Sequence, residues 1–484
     1  MTLLAHGSAR KSPADALWSP GLWVWAVAIA YFLAQMLLTE PSRFLAWDEA
    51  TYISEVSAFA DPIGFDAHRA RGVTFVVAPV GLLTESMTVT RVYLALVSSV
   101  GLALSFLPWI KLVRWVAPIS AGIFASSWLT IFYGSEIMPN LWSAFLVLAS
   151  VGLGMAHVKY ADSRLRLVGL AATTAALGLT RPLDAAMTVA IFGLIWALVH
   201  RRQAFHALLV AGAGVGIGSA AWLAEAWVRF NGPIDRLERA RAIVGGGVNN
   251  NIVEYLRLLD GPTSGPDGNP DIALVGVVWL LVVFALGVVG GVSSKRVWPL
   301  GPITLAGAAL LSAPYLFLSE AAAPRFMFPA IALLAMAAGL GLWSLVAKAS
   351  SPLRLAVVLI AGASLVLLNV GTVSAINAEQ TAARGRALHL ADSLSVAATS
   401  VNCFFLSTTG YPQISVSSGC RGGRYLGEES LERLDRAVEE GAQVFVLLSS
   451  VDDAETVTNH GGGCELVEGL EDRRWHLCEW NPDS

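Results

Sequence analysis

Long apolar runs alternate with short polar ones along most of this chain, and the runs have the length of membrane crossings. About 18 or more apolar residues in a helix span ~30 Å of hydrocarbon. Hydropathy predicts such segments at 21–39, 89–110, 117–134, 140–157, 166–180, 184–199, 207–228, 272–292, 299–318, 326–347 and 353–375. Residues 73–83, "VTFVVAPVGLL", are apolar but too short, and Pro79 interrupts them; they read as an interfacial or re-entrant piece. The pattern predicts a polytopic all-α membrane protein of about eleven transmembrane helices over 21–375, after a short N-terminus at 1–20.

Beyond residue 376 the period changes. "CFFLS" and "QVFVLLSS" read as short buried strands, and "ESLERLDRAVEEG" has helical spacing with Gly441 as its stop. "CELVEG" and "RRWHLCEW" read as a terminal hairpin. Residues 376–484 are therefore expected to form a small α/β domain, with no nucleophile triad, P-loop or dinucleotide fingerprint.

Composition agrees with the membrane reading. Of 484 residues, 55% are hydrophobic and 14% charged, against about 25% charged in soluble domains. The net charge of −4 is uninformative. Arginine far outnumbers lysine, which reads as genomic composition and not as a nucleic-acid footprint.

The placement of charge predicts sidedness. With Arg10 and Lys11 taken as cytoplasmic, one set of short loops is uniformly basic: Lys111 and Arg114; Lys159, Arg164 and Arg166; Arg201 and Arg202; Lys295 and Arg296; Lys348 and Arg354. The opposite, outer side holds the first loop 40–88, the turn 135–139, the Arg181-Pro182 break, the loop 229–271, the turn 319–325 and the tail. The first apolar run reads as a retained anchor. Cysteine usage points the same way. Cys403, Cys420, Cys464 and Cys478 are all in the tail, and an even number confined to one domain suggests two disulfides and an oxidising compartment. Three pairings exist; proximity favours Cys403–Cys420 and Cys464–Cys478. The alternatives are free buried thiols or a zinc site, for which no CxxC pair is present. The expected location is a multi-pass plasma (inner) membrane protein, N-terminus cytoplasmic and C-terminal domain extracytoplasmic.

Candidate chemistry lies on the outer face. "AWDEATYISEV" places Asp48 and Glu49 just after the first span, with Tyr52 one turn on. Such a carboxylate is ordinarily a solvated loop residue. Its company changes that reading: Glu136 in "YGSEIMPN", Arg181 in "LTRPLDAA", Arg325 in "EAAAPRFMFPA", and His68, Arg69 and Arg71 in "DAHRARG". Ionisable groups near membrane depth are costly and often functional; juxtamembrane arginines also serve as snorkelling anchors.

In order, spacing and sidedness these residues resemble the GT-C polyprenyl-phosphate-dependent glycosyltransferases. The likeness is to the glycosyltransferase family 39 type, the branch of protein O-mannosyltransferases and lipid A aminoarabinose transferases. The matching features are the Asp48-Glu49 pair with Tyr52, the second acid Glu136, and Arg325-Phe326 at the start of a late span, over roughly residues 20–350. The basic-Pro-Pro stretch of that family is absent, with "RARGVTFVVAPV" in its place, and Phe326 stands for the usual Tyr. The resemblance implies an enzyme moving a sugar from a polyprenyl-phosphate donor in the bilayer to a glycolipid, polysaccharide or protein acceptor of the cell envelope. Relatives use mannose, aminoarabinose, arabinose, galacturonate and glucose donors, so the sugar stays open. It also implies inversion at the anomeric carbon.

That chemistry assigns expected roles. A carboxylate takes the acceptor's proton, with Asp48 as base and Glu49 and Glu136 as catalytic companions. Arginine suits a leaving phosphate, making Arg325, Arg69, Arg71 and Arg181, with His68, the candidate donor-phosphate contacts. Tyr52 is a candidate substrate contact. A divalent metal is an alternative partner for the phosphate, with Asp48, Glu136 and His68 as ligands, although no ligand spacing is diagnostic. The Gly-, Asn- and Pro-rich loop 229–271 reads as a mobile segment, either a lid or an inert connector. Two other classes stay open: a transporter or lipid flippase with an outer binding domain, and a non-catalytic scaffold whose tail binds cell-wall polymers. Against transport, no repeat relates the halves, and charge gathers at the outer span ends.

If the sidedness is right, an impermeant thiol reagent applied from outside labels single cysteines introduced at positions 263 and 428, but not at 162 or 295. Labelling at 295 overturns it.

Overall fold

A computed structural model of the chain describes residues 19–161, 163–261, 270–293, 299–347, 349–400, 402–408, 410–427, 430–460, 462–467 and 475–480. Arg10, Lys11, Lys295, Arg296 and Lys348 lie outside the described residues.

Proline sets several helix starts. It stands in the first turn of α1 (Pro20–Leu38), α7 (Pro139–Tyr160), α9 (Pro182–Val199) and α11 (Pro233–Val244), where its missing N–H has no partner to lose. The residue before Pro182 is forced extended: Arg181 has φ −149° and ψ 91° and ends α8 (Arg164–Thr180). The remaining membrane-length helices are α4 (Met87–Val113), α10 (Arg202–Arg229), α13 (Pro270–Ser293), α14 (Leu300–Phe317), α15 (Phe328–Val346) and α16 (Ser351–Ala397).

Nine described helices are long and apolar enough to cross a membrane. Two expected segments are not among them. α8 has 17 residues. The segment at 117–134 is broken into α5 (Val116–Ala125) and α6 (Trp128–Tyr133). Two serines account for the break. Ser126 Oγ donates to the Ile123 carbonyl, and Ser127 is extended. The freed Trp128 N–H is taken up by Asn369 Oδ1 of α16 at 3.0 Å, so the break leaves that donor satisfied.

Small residues let helices close up. A Cβ on Gly218 of α10 would lie 1.8 Å from the Ala175 carbonyl oxygen of α8. Only glycine permits that approach, the usual device where apolar burial cannot drive helix association.

The first loop folds over one end of the bundle as α2 (Trp47–Ser54) and α3 (Gly72–Gly81), the latter being the expected short apolar piece with Pro79 inside it. The loop at 229–271, expected to be mobile and not a folded unit, forms α11, α12 (Ile252–Arg257) and a 3-10 turn at Leu258–Asp260 over its described residues 229–261. Its composition hid two anchors. Arg236 is fully buried among backbone carbonyls, and Asn251 Nδ2 donates to the carbonyls of Tyr315 and Ser319.

α16 runs 47 residues without a break. It leaves the bundle and continues through the expected boundary at 376 into the C-terminal domain. There Leu390, Ala391 and Leu394 pack against β1 (Cys403–Ser407) and β3 (Gln443–Leu448). The remaining elements are α17 (Tyr411–Ser418), β2 (Arg421–Arg424), α18 (Leu431–Glu439), α19 (Val451–Asn459), β4 (Gly462–Val467) and β5 (Trp475–Trp480). The sheet order is β2-β1-β3-β5-β4, parallel across β2, β1 and β3 and antiparallel for the β4–β5 hairpin and its pairing to β3. The strands, the helix ending before Gly441 and the hairpin all fall where the alternation placed them. Both disulfides follow the proximity pairing: Cys403–Cys420 ties β1 to the start of β2, and Cys464–Cys478 joins directly opposed hairpin residues.

Candidate active site

Asp48 and Glu49 are successive residues in the first turn of α2, so their side chains leave the helix about 100° apart. That angle gives the two acids different surroundings.

Glu49 points inward and is fully buried. One carboxylate oxygen accepts from the Ala46 N–H at 2.8 Å, closing the first turn. The other accepts from the Ile137 N–H at 2.7 Å. Both oxygens bond Arg91 of α4, and Arg384 of α16 adds a contact at 3.1 Å. Glu136, also fully buried, bonds Arg43 at 2.6 Å and Arg384 at 3.0 Å, with Arg91 at 3.5 Å. Two carboxylates and three guanidiniums from five parts of the chain thus form one closed cluster. Asn377, two turns before Arg384, extends it: its Oδ1 accepts from Arg43 and from the Glu40 N–H. Burial works to raise the Glu136 carboxyl, but the charges of Arg384, Arg91 and Arg43 outweigh it and hold it well below the ordinary carboxylate range. Glu49 and Glu136, both expected as catalytic companions of Asp48, are thus fully buried and paired with arginines.

Asp48 faces the open side. Its side chain is 27% exposed. Oδ1 accepts from Arg69 at 2.7 Å and Oδ2 lies 3.3 Å from Arg325. Arg325 sits in the 3-10 turn Pro324–Met327 that leads into α15. Arg69 is held through its own backbone: the buried Arg236 donates to the carbonyls of Ala67 and Arg69 at 3.0 and 2.9 Å, and pairs with Glu225 at 3.1 Å.

Arg181 is close by but engaged. Its Nε is 3.0 Å from Asp184 and its Nη2 donates to Tyr315 Oη at 2.6 Å, while Tyr315 donates in turn to Asp184. Its guanidinium lies over both the Tyr315 and Phe326 rings at 5.4 Å. Tyr52 packs edge-on against Phe65, beneath Arg69. Burial, reinforced by Asp48, pushes its phenol up to about 12, which keeps it a protonated donor. His68 is pushed below its ordinary value by lost hydration and by Arg69, so it adds no positive charge at pH 7. Arg71 is drawn aside to Glu55 and Glu225, at 2.9 and 2.7 Å.

The structure therefore gathers Asp48, Tyr52, Arg69, Arg181 and Arg325 around one surface, with Glu49 and Glu136 behind it and Arg71 to one side. The C-terminal domain reaches the same place: Tyr411 of α17 meets the Trp47 ring edge-on at 4.8 Å. Among the described residues no three His, Cys, Asp or Glu side chains gather as ligands, and the three expected ones are not grouped because Glu136 is enclosed by arginines.

Sequence reasoning missed Arg43, Arg91, Arg236 and Arg384. Arg91 carried a signal, being a charge inside an apolar run. Arg384 did not, since its helix was expected to end nine residues earlier.

No family model and no curated protein matches the chain. Solved structures do. A crystal structure of ArnT from Cupriavidus metallidurans bound to undecaprenyl phosphate superposes with TM-score 0.66 at 12% identity, over 96% of this chain and 98% of that one. The Archaeoglobus fulgidus oligosaccharyltransferase in complex with zinc and sulfate gives 0.56 at 12%, over 91% and 71%. The arabinofuranosyltransferase AftD from Mycobacteria gives 0.55 at 13%, over 95% and 40%. The chain has the GT-C fold. In that fold frame, the cluster and the Asp48 site occupy the end of the bundle roofed by the first loop and the C-terminal domain.

The burial contrast predicts a stability contrast. Breaking a buried charge cluster costs about 3–5 kcal/mol, and a partly exposed pair less. Glu136→Gln should therefore lower the thermal midpoint of the purified protein clearly, and Asp48→Asn by less. Glu136 titrates lower folded than unfolded, so its contribution is present above the unfolded value of about 4.3 and lost only as pH falls below it. Thermal scans from pH 7 to 3 should show the wild type losing more than Glu136→Gln below pH 4.3.

Proposed function

We propose that this protein is an inverting glycosyltransferase that moves a sugar from a polyprenyl-phosphate donor to a cell-envelope acceptor at the extracytoplasmic membrane face. The observation that carries this reading is the placement of Asp48: a partly exposed carboxylate held between Arg69 and Arg325 at the end of a GT-C bundle. The uniformly basic short loops of the opposite face support the sidedness, and so do two disulfides in the roofing domain.

The donor lipid's tail stays in the bilayer while its phosphate meets the arginines. Arg325 and Arg69 offer guanidinium N–H groups to phosphate oxygens as their charge grows on departure. Asp48, with those arginines between it and the phosphate, accepts the acceptor hydroxyl's proton. The new C–O bond forms at the anomeric carbon as the C–O bond to phosphate breaks. Arg181, fixed by Asp184 and Tyr315, adds positive field beside Phe326. Tyr52 sets the floor beneath Arg69. The acceptor is a glycolipid, polysaccharide or protein, met under the C-terminal domain near Trp47 and Tyr411.

Purified protein with labelled polyprenyl-phosphate sugars and membrane acceptors tests this. Asp48→Asn should lower turnover about 10²–10⁴-fold while donor still binds, the usual cost of losing a general base. Arg325→Ala should weaken donor binding and turnover together. Near-full transfer by Asp48→Asn defeats the assignment.

A further inference from the structure

A groove of about 710 Å³ runs along the bundle between α1, α5, α6, α15 and α16, from Trp23 and Arg354 at the end remote from the site to Tyr31 and Ile131 at the other. Its walls are apolar apart from Tyr31, Ser126, Ser351 and Arg354, and the hydroxyls of Tyr31 and Ser126 are already bonded to backbone carbonyls. Arg354, in the first turn of α16, closes one end. One of its terminal nitrogens donates to the Ala347 and Ala349 carbonyls, and its guanidinium lies 5.0 Å over the Trp343 ring. No carboxylate pairs with it among the described residues, and its buried Nε has no partner. The Trp23 indole N–H, lining the same groove, is likewise buried and unbonded. Trp115 lines it too, just before α5 begins.

We propose that this groove seats an anionic glycerophospholipid of the leaflet opposite the active site. One acyl chain would lie along α16, with the phosphate on the terminal nitrogens of Arg354. A guanidinium without a carboxylate calls for an anion. The groove follows α16 from Ser351 to Val366, fifteen residues, or about 22 Å of helix, enough for one extended acyl chain. Arg384, in the cluster behind the active site, is thirty residues along the same helix, about 45 Å away. A donor whose phosphate is at Arg325 cannot also place it on Arg354. The inference is therefore independent of the proposed transfer reaction.

Native mass spectrometry of the full chain in detergent, with phosphatidylglycerol or phosphatidylcholine added, tests it. The wild type should retain phosphatidylglycerol at least about tenfold better, as a charge-assisted contact implies. Arg354→Gln should abolish that preference, and Arg354→Lys should keep most of it. Gly362 lines the groove and has open space at its Cβ, so Gly362→Phe should fill the groove and lower retention of both lipids. Equal retention by the wild type overturns the proposal, as does a preference that survives Arg354→Gln or unchanged retention in Gly362→Phe. Displacement of phosphatidylglycerol by added undecaprenyl phosphate also overturns it, making the groove a donor-tail site. Should Arg354→Gln fail to fold, Gly362→Phe and Arg354→Lys decide.

Discussion

The buried cluster of Arg43, Arg91, Arg384, Glu49 and Glu136 is the constraint on which the rest of this structure depends. Apolar helices in lipid have little reason to prefer one arrangement, since neighbouring chains are as apolar as their partners. Charges removed from solvent do have a preference, because each costs several kcal/mol unless its partners are in place. Here the partners come from the loop between α1 and α2, the first turn of α2, the turn before α7, the start of α4 and the extension of α16. In the observed placement of those five pieces every guanidinium pairs with at least one carboxylate. The first loop and the connection to the C-terminal domain are fixed together by it.

The proposed chemistry is a consequence of that lock. Glu49 turns its face of α2 into the cluster, which leaves Asp48, about 100° round the helix, to face Arg69 and Arg325. A second lock works from the other side: Arg236 of α11 holds the backbone carbonyls of Ala67 and Arg69, so the loop 229–271 positions a residue of the loop 40–88. Adjacent acids in "AWDEATY" thus divide two tasks. One anchors the helix, and the other meets the substrate in the proposed reaction.

The membrane architecture was legible because hydropathy is a local signal repeated over many residues. The same holds for the tail, where strand alternation, Gly441 and cysteine spacing all acted over short range. The broken segment at Ser126–Ser127 was not legible, since the bond that repairs it comes from Asn369, more than 240 positions away. Composition misled at 229–271, where Gly and Asn suggested disorder while Arg236 and Asn251 tie it down. At the site, Asp48, Arg69 and Arg325 were visible as outer-face charges. What distinguishes them from Glu49, Glu136 and Arg71 is burial and partnership, and those arise only when distant segments meet. Arg384 is the clearest case: an unremarked residue in a helical stretch that becomes a centre of the cluster once α16 is seen to run on.

The most direct measurement is a cryo-EM structure of the purified protein with undecaprenyl phosphate bound. The account predicts phosphate density within hydrogen-bonding distance of Arg325 and Arg69, one or both guanidiniums having turned from Asp48, and the Arg43–Arg91–Arg384 cluster unchanged. Phosphate density elsewhere, with both Asp48 ion pairs intact, would contradict it.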